Sequence, residues 1–274
     1  MQHRYHKLII ALATAFCLTA FALPLIAQEN PTPPAAPAPT ILEYNEDRPA
    51  NFVFLVDVSG SMVLPRTMVK GADGANITLF EALRAALKQI AQDARILSTN
   101  SKVSFITFGS LISEKSQWPV SVKQSEERAE LLAKISSPAE LQADKHGDTY
   151  MAGALEEAYK KAMKFTQESP PCTTNFILML TDGWDEPPPG APLKIRPTAA
   201  KFVAKGKELK DKLGVNTWQV RVIGLQRLPE KKAGTTTAAE VAQILGGQFL
   251  DVTKAKGGTV AEQIYVSLKK TIAE

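Results

Sequence analysis

The chain has 274 residues, of which 45% are hydrophobic and 22% charged, with a formal net charge of +4. That length fits one sizeable domain plus accessory segments, and the apolar content is enough for a full core. The positive charge is mild and spread out, with no dense Lys/Arg block interleaved with aromatics, which argues against nucleic acid as the partner.

The amino end is distinctive. His3, Arg4, His6 and Lys7 precede an apolar run from Leu8 to Ala27. Residues 1–27 read as a secretory signal peptide, with cleavage after Ala22 or Ala27, and Pro24 and the small residues favour that reading. At roughly twenty residues the run also just reaches across a bilayer, so an uncleaved amino-terminal membrane anchor is the alternative, a tether through residues 8–27. Phe16 is too bulky to give Cys17 a lipoprotein-type context. Either way the folded part is exported, to the periplasm or beyond it, and the short signal and compact architecture suggest a bacterial source. Residues 28–47 form a Pro/Ala-rich linker, with Pro31, Pro33, Pro34, Pro37 and Pro39 making a semi-rigid spacer or disordered tail. Removal of Cys17 with a signal leaves Cys172 alone, so no internal disulfide forms. Cys172 is then an inert residue leading into a strand, or the site of an intermolecular bridge.

The domain begins near Arg48. Phe52-Val53-Phe54-Leu55-Val56 is a solid apolar run, too short for a membrane span, and predicts a strand buried on both faces of a parallel sheet. It stops at Asp57, and Ser59 and Ser61 follow in a Gly-containing loop. Val63 to Ala75 is irregular and overhangs that loop. Thr78 and Glu81 make a capping box for a helix with apolar residues at helical spacing as far as Ala94. Asn76-Ile77-Thr78 matches a glycosylation sequon, which matters only in a eukaryotic secretory pathway. Lys102 to Phe108 predicts the second strand, and Trp118 to Val122 a short edge strand, where Pro119 is tolerated. Glu126 to Ile135 predicts a helix, and Ser136 to Gly147 a polar loop.

Gly147-Asp148-Thr149 then turns into a helix running to about Lys164. Phe176 to Leu180 predicts another buried strand, ended by Thr181-Asp182-Gly183. Glu186 to Pro197 is a Pro-rich loop, Ala199 to Leu213 a lysine-rich surface helix, and Trp218 to Leu225 a strand. Thr237 with Glu240 caps a helix ending at Gly246-Gly247, Gln248 to Val252 is the last strand, and Thr259 with Glu262 caps the final helix. Strands alternating with helices predict an α/β fold with a doubly wound, mostly parallel sheet.

Taken singly, Asp57-x-Ser59-x-Ser61 is turn chemistry, Thr149 a helix cap and Asp182-Gly183 a turn. Taken together they are two buried strands each ending in an aspartate, a Ser-x-Ser after the first, and a Gly-x-Thr before the helix between them. Open parallel sheets bind ligands beyond the carboxyl ends of their strands. Five oxygen side chains at one such edge suit a hard cation, Mg²⁺ first, with Mn²⁺ or Ca²⁺ as alternatives.

Asp57-Val58-Ser59-Gly60-Ser61, Gly147-Asp148-Thr149 and Thr181-Asp182-Gly183 resemble the metal-ion-dependent adhesion site of the von Willebrand factor type A (VWA) domain. The resemblance runs from about Arg48 to the end, making residues 48–274 the domain. It implies a Rossmann-like six-stranded sheet with one antiparallel edge strand and helices on both faces. It also implies metal ligation by Ser59, Ser61 and Thr149 through hydroxyls, with Asp57 and Asp182 holding the ion directly or through water. The partner it implies is a protein presenting Asp or Glu to a vacant metal position. Asp148, Asp185 and Glu186 add negative charge at the rim. Trp184 is either an exposed contact residue or packed under a loop, and His146 is a solvated loop residue.

Three functions compete. The first is an exported adhesion or envelope-assembly module. The second is a hydrolase using Ser59 or Ser61. His146 is the one histidine left after signal removal, and there is no Gly-x-Ser-x-Gly elbow or phosphate-binding loop, so an enzyme is not expected. The third is an accessory subunit of a membrane-associated ATPase or metal-insertion complex, which a reporter after Glu274 would separate by the side of the membrane it reaches.

Overall fold

Eight consecutive buried residues, Ala50–Asp57, form strand β1. Successive side chains of a strand point to opposite faces, and here both faces are covered. Phe52, Phe54 and Val56 enter one core, and Val53 and Leu55 the other. The protein is described from a computed structural model over residues 50–144, 147–170, 173–185, 189, 207–208, 210–212, 217–225, 236–244, 247–251 and 258–273. The fold is that of the unit Ile41–Glu274.

Around β1 lie β2 (Lys102–Phe108), β3 (Ile112–Glu114), β4 (Thr174–Thr181), β5 (Gln219–Gly224) and β6 (Gln248–Asp251). They form one six-stranded sheet in the order β6-β5-β4-β1-β2-β3. Every pairing is parallel except β2 with β3. The chain winds outward from β1 through β2 and β3, then returns to lay β4 on the other flank of β1. The winding reverses there, and the carboxyl ends of β1 and β4 border the resulting crevice.

Helices cover both faces. Helix α1 (Leu79–Gln92), α2 (Ser125–Ser136) and α5 (Val260–Ala273) pack on the Phe52/Phe54 face. Helix α3 (Met151–Glu168) and α4 (Ala238–Ile244) pack on the other. The three expected capping boxes are present. Thr78, Thr237 and Thr259 each accept from the amide three residues on, and each donates its own amide to that glutamate. Aromatic rings run across the α1 face. Phe52 stacks on Phe176 at 5.6 Å, Phe54 on Phe105 at 4.9 Å, and Trp118 leans on Phe105 at 5.1 Å.

The edge strand is not where the sequence placed it. Residues 112–114 form β3, while the 118–122 segment makes a single isolated bridge, Lys102 to Ser121. The chain leaves the ladder between them in a turn, with Trp118 N donating to Lys115 O at 2.9 Å. The turn swings Trp118 inward, and Pro119 has no N–H to continue the pairing. The 63–75 overhang consists of short 3₁₀ turns at Gly60–Val63 and Pro65–Thr67, then a ladder of Val69–Lys70 with Asn76–Ile77. Of the predicted 199–213 helix, residues 207–208 and 210–212 are described and helical. The signal or anchor, the linker, Cys172 and most of the 186–197 loop lie outside the described residues, as does His146. Among the described residues no helix is long and apolar enough to cross a membrane.

Helix α5 is fastened to the end of α1 by Tyr265, whose hydroxyl donates to Asp93 Oδ2 at 2.5 Å. Burial would raise the Asp93 carboxyl. Hydrogen bonds from Arg95 and Tyr265, with the Arg95 charge, outweigh it and hold the group at about 2. A carboxyl depressed in the folded chain contributes fully above its unfolded pKa, roughly 4, and loses that contribution as pH falls towards 2. Tyr265→Phe is expected to cost about 1 kcal/mol at neutral pH. It should also shrink the loss of stability across that acid window, read by urea unfolding at a series of pH values.

Candidate metal centre

The register of the sheet assembles the site. Val56 pairs with Leu180 and Asp57 with Phe108, so Asp57 leaves β1 beside Thr181-Asp182 leaving β4. Asp57 is 0% exposed and Asp182 1%. Asp57 Oδ1 accepts from the Ser59 amide at 2.8 Å, and Oδ2 accepts from Thr181 Oγ1 at 2.5 Å. Ser59 Oγ lies 3.1 Å from Ser61 Oγ, and Ser61 Oγ donates to Asp182 Oδ1 at 2.7 Å. Four of the five predicted residues therefore form one hydrogen-bonded group. Thr149 is the fifth and is buried. A β-carbon placed on Gly183 would lie 3.9 Å from Thr149 Oγ1, so this hydroxyl borders the Asp182 turn.

Backbone hydrogen bonds lock the contributing loops together. Gly60 N donates to Gly147 O at 3.0 Å, and Asp144 N to Val58 O at 2.6 Å. Tyr150 N donates to Gly109 O at 3.1 Å, and Asp148 N to Ser110 Oγ at 2.8 Å. Thr67 Oγ1 donates to Ser61 O at 2.8 Å. Thr181, Ser110 and Asp144 build the site as well, beyond the five residues the sequence predicts. Thr181 carried a signal, since it is the last residue of a buried strand beside Asp182. Ser110 and Asp144 carried none, because their partners are remote in sequence. Trp184 and Asp185 form a short antiparallel ladder with Thr236–Thr237 directly after the Asp182 turn. The side chains of Trp184, Asp185 and Glu186 lie outside the described residues.

Burial pushes the Asp57 carboxyl above its usual range, while hydrogen bonds from Ser59, Thr181 and the Asp182 amide pull the other way. Among the described residues, Asp57 takes part in no salt bridge. A carboxylate kept from water without a cationic partner is unfavourable, and a bound cation would relieve it. Among the described residues no group of three or more His, Cys, Asp or Glu is placed to hold a metal. The donors here are instead two carboxylates with neighbouring hydroxyls. This all-oxygen set fits a hard ion that uses one or two carboxylates and keeps waters, as Mg²⁺ does.

Fold and crevice together define a doubly wound α/β domain of the kind that takes ligands beyond its strand ends. Residues 51–216 match the model of the von Willebrand factor type A domain, more than half of the chain, and the protein belongs to that family. Among solved structures, the PilB minor pilin from Streptococcus sanguinis is similar at 17% identity and a TM-score of 0.56, covering 82% of this chain and 61% of its own. A von Willebrand factor type A protein from Catenulispora acidiphila matches at 18% identity and TM-score 0.51, over 82% of this chain and 42% of its own. The pilus adhesin SpaC from Lactobacillus rhamnosus GG matches at 16% and 0.50, over 81% and 30%. The chain spans less than two thirds of each of these proteins, and at such identities the likeness is one of fold. No curated protein matches.

Proposed function

We propose that this protein is an exported VWA binding module whose divalent-metal site is completed by a carboxylate of a protein partner, in adhesion or envelope assembly. Asp57, Ser59, Ser61, Thr149 and Asp182 would hold the ion, with Mg²⁺ preferred over Mn²⁺ or Ca²⁺. One observation carries the reading: two buried carboxylates from adjacent strands meet a pair of serine hydroxyls at the point where the winding of the sheet reverses. The bound ion would supply positive charge that three neutral hydroxyls leave underneutralised, so an incoming Asp or Glu gains more than it would at an all-carboxylate site. Two proteins sharing the fold are a minor pilin and a pilus adhesin, which agrees with a binding role rather than a catalytic one. In this reading residues 1–27 serve as signal peptide or membrane anchor, residues 28–47 as the Pro/Ala-rich linker, and residues 48–274 as the binding domain.

The test is calorimetric titration of MgCl₂ into the purified domain, followed by capture of partners from the native envelope with and without EDTA. Saturable Mg²⁺ binding and EDTA-sensitive capture are expected. Capture that is indifferent to EDTA, from a protein giving no heat with Mg²⁺ or Mn²⁺, overturns the metal-dependent mode.

A further inference from the structure

Among the described residues, the large hydrophobic side chains standing in solvent are Met68, Leu111, Val120 and Val266. Single exposed apolar residues are ordinary on any surface, so exposure alone decides nothing. Position does. Leu111 and Met68 both stand on loops that frame the crevice.

Leu111 is the most exposed of the four, at 83%. It occupies the turn between β2 and β3, closed by Gly109 N donating to Leu111 O at 3.0 Å. That turn abuts the first serine: a β-carbon on Gly109 would lie 3.7 Å from Ser59 N. Three contacts hold it to the segment bearing Thr149. Gly109 O accepts from Tyr150 N, Ser110 Oγ accepts from Asp148 N, and Ile112 fills the notch at Gly153. A β-carbon on Gly153 would stand 2.4 Å from Ile112 Cδ1, so the small residue in α3 is what lets the turn seat there. The residues on either side of Leu111 are fixed while its own side chain is left in water. Met68, 42% exposed, follows Thr67, whose hydroxyl is bound to Ser61 O. Leu111 thus stands two residues from the glycine that lies beside Ser59, and Met68 directly follows the threonine bound to Ser61.

We infer that Leu111 and Met68 are the specificity-determining contacts of the site, and that the partner offers an acidic residue flanked by apolar ones. The inference rests on the metal-site reading above, which supplies the acidic centre of the motif. A carboxylate reaching the crevice brings its sequence neighbours over the Leu111 and Met68 turns. Apolar neighbours remove both side chains from water, whereas polar ones bury them against groups left short of hydrogen bonds. Because the Leu111 turn is already fixed, little ordering entropy opposes the contact.

The probes are two synthetic peptides, acetyl-Ala-Leu-Asp-Leu-Ala-amide and acetyl-Ala-Ser-Asp-Ser-Ala-amide, titrated into the folded domain in saturating Mg²⁺ and followed by NMR. The wild-type domain is expected to bind the Leu-flanked peptide roughly tenfold tighter than the Ser-flanked one. Leu111→Ser should reduce that preference to about twofold or less while leaving the heat of Mg²⁺ binding and the thermal midpoint unchanged. Val266→Ser, on α5, is the control and should keep the preference. Equal binding of the two peptides to the wild type, with Mg²⁺ binding intact, overturns this inference and leaves the metal site standing. So does a preference that survives Leu111→Ser, or no binding of either peptide. A wild type that binds no Mg²⁺ overturns the metal site and this inference with it.

Discussion

Asp57→Asn is expected to weaken Mg²⁺ binding by at least about a hundredfold, because it removes a formal charge from a site with few of them. Stability should move in the opposite sense. The asparagine keeps an oxygen to accept from the Ser59 amide at the position Asp57 Oδ1 now holds and removes a charge that is 0% exposed, while its Nδ2 replaces Oδ2 and requires the Thr181 hydroxyl to turn and accept. Taking away a buried, unpaired charge is neutral or stabilising in the metal-free protein. At Mg²⁺ a hundredfold above its dissociation constant, ligand linkage adds about 2.7 kcal/mol to the wild type. For a domain of roughly 200 residues that is a rise in Tm of about 5–10 °C. Differential scanning calorimetry with and without MgCl₂ reads both effects. The wild type should show the rise, and Asp57→Asn should start at the same Tm or higher and show none. An equal rise in both proteins would mean that Mg²⁺ acts elsewhere.

Phe54→Ala is the second large effect, and it falls on the scaffold. Phe54 is 0% exposed in the central strand and stacks on Phe105 at 4.9 Å with the rings 11° from parallel. It also lies 6.0 Å from Phe52, so its loss opens the middle of the ring series that crosses β4, β1 and β2. Truncating a buried phenylalanine costs about 3–5 kcal/mol through lost transfer energy and the cavity left behind. The same conversion gives a fall in Tm of roughly 6–20 °C. Phe54→Leu, which refills most of the space, should cost less than half as much. The check is thermal unfolding by circular dichroism in EDTA, so that metal linkage does not mask the change.

Much of the fold was legible because β1 and β4 are each nearly uninterrupted apolar runs ended by an aspartate. Runs of that kind, too short for a helix and rich in β-branched and aromatic residues, read as strands covered on both sides. Strand β2 was read at its observed bounds, and all three threonine-glutamate boxes open helices where expected. The edge strand was misplaced for a physical reason. Three residues, Ile112 to Glu114, are too few to show a period, and Trp118 gave the 118–122 segment a strand-like composition that in fact serves core packing. The start of α2 was also read short. Its first turn is held by the Gln124 backbone amide donating to Glu127 Oε2 at 3.1 Å, with no threonine or serine at the cap to mark it. Of the proposed ligands, Asp57 and Asp182 could be named from the strand ends, Ser59 and Ser61 from the loop after the first, and Thr149 from the Gly-x-Thr before α3. The Ser110, Asp144 and Gly109 contacts that hold their loops could not, since each joins segments whose approach is fixed by tertiary winding alone.

β1 runs through the sheet from Ala50 to Asp57. It is roughly 25 Å long and ends at the crevice. Seven residue pairs flank it on each side, all parallel. A pull applied between the crevice and the amino end of β1 would run along the strand and load those two ladders along their length. Rupture would then require many hydrogen bonds to slide together, whereas a peeling load opens them one at a time.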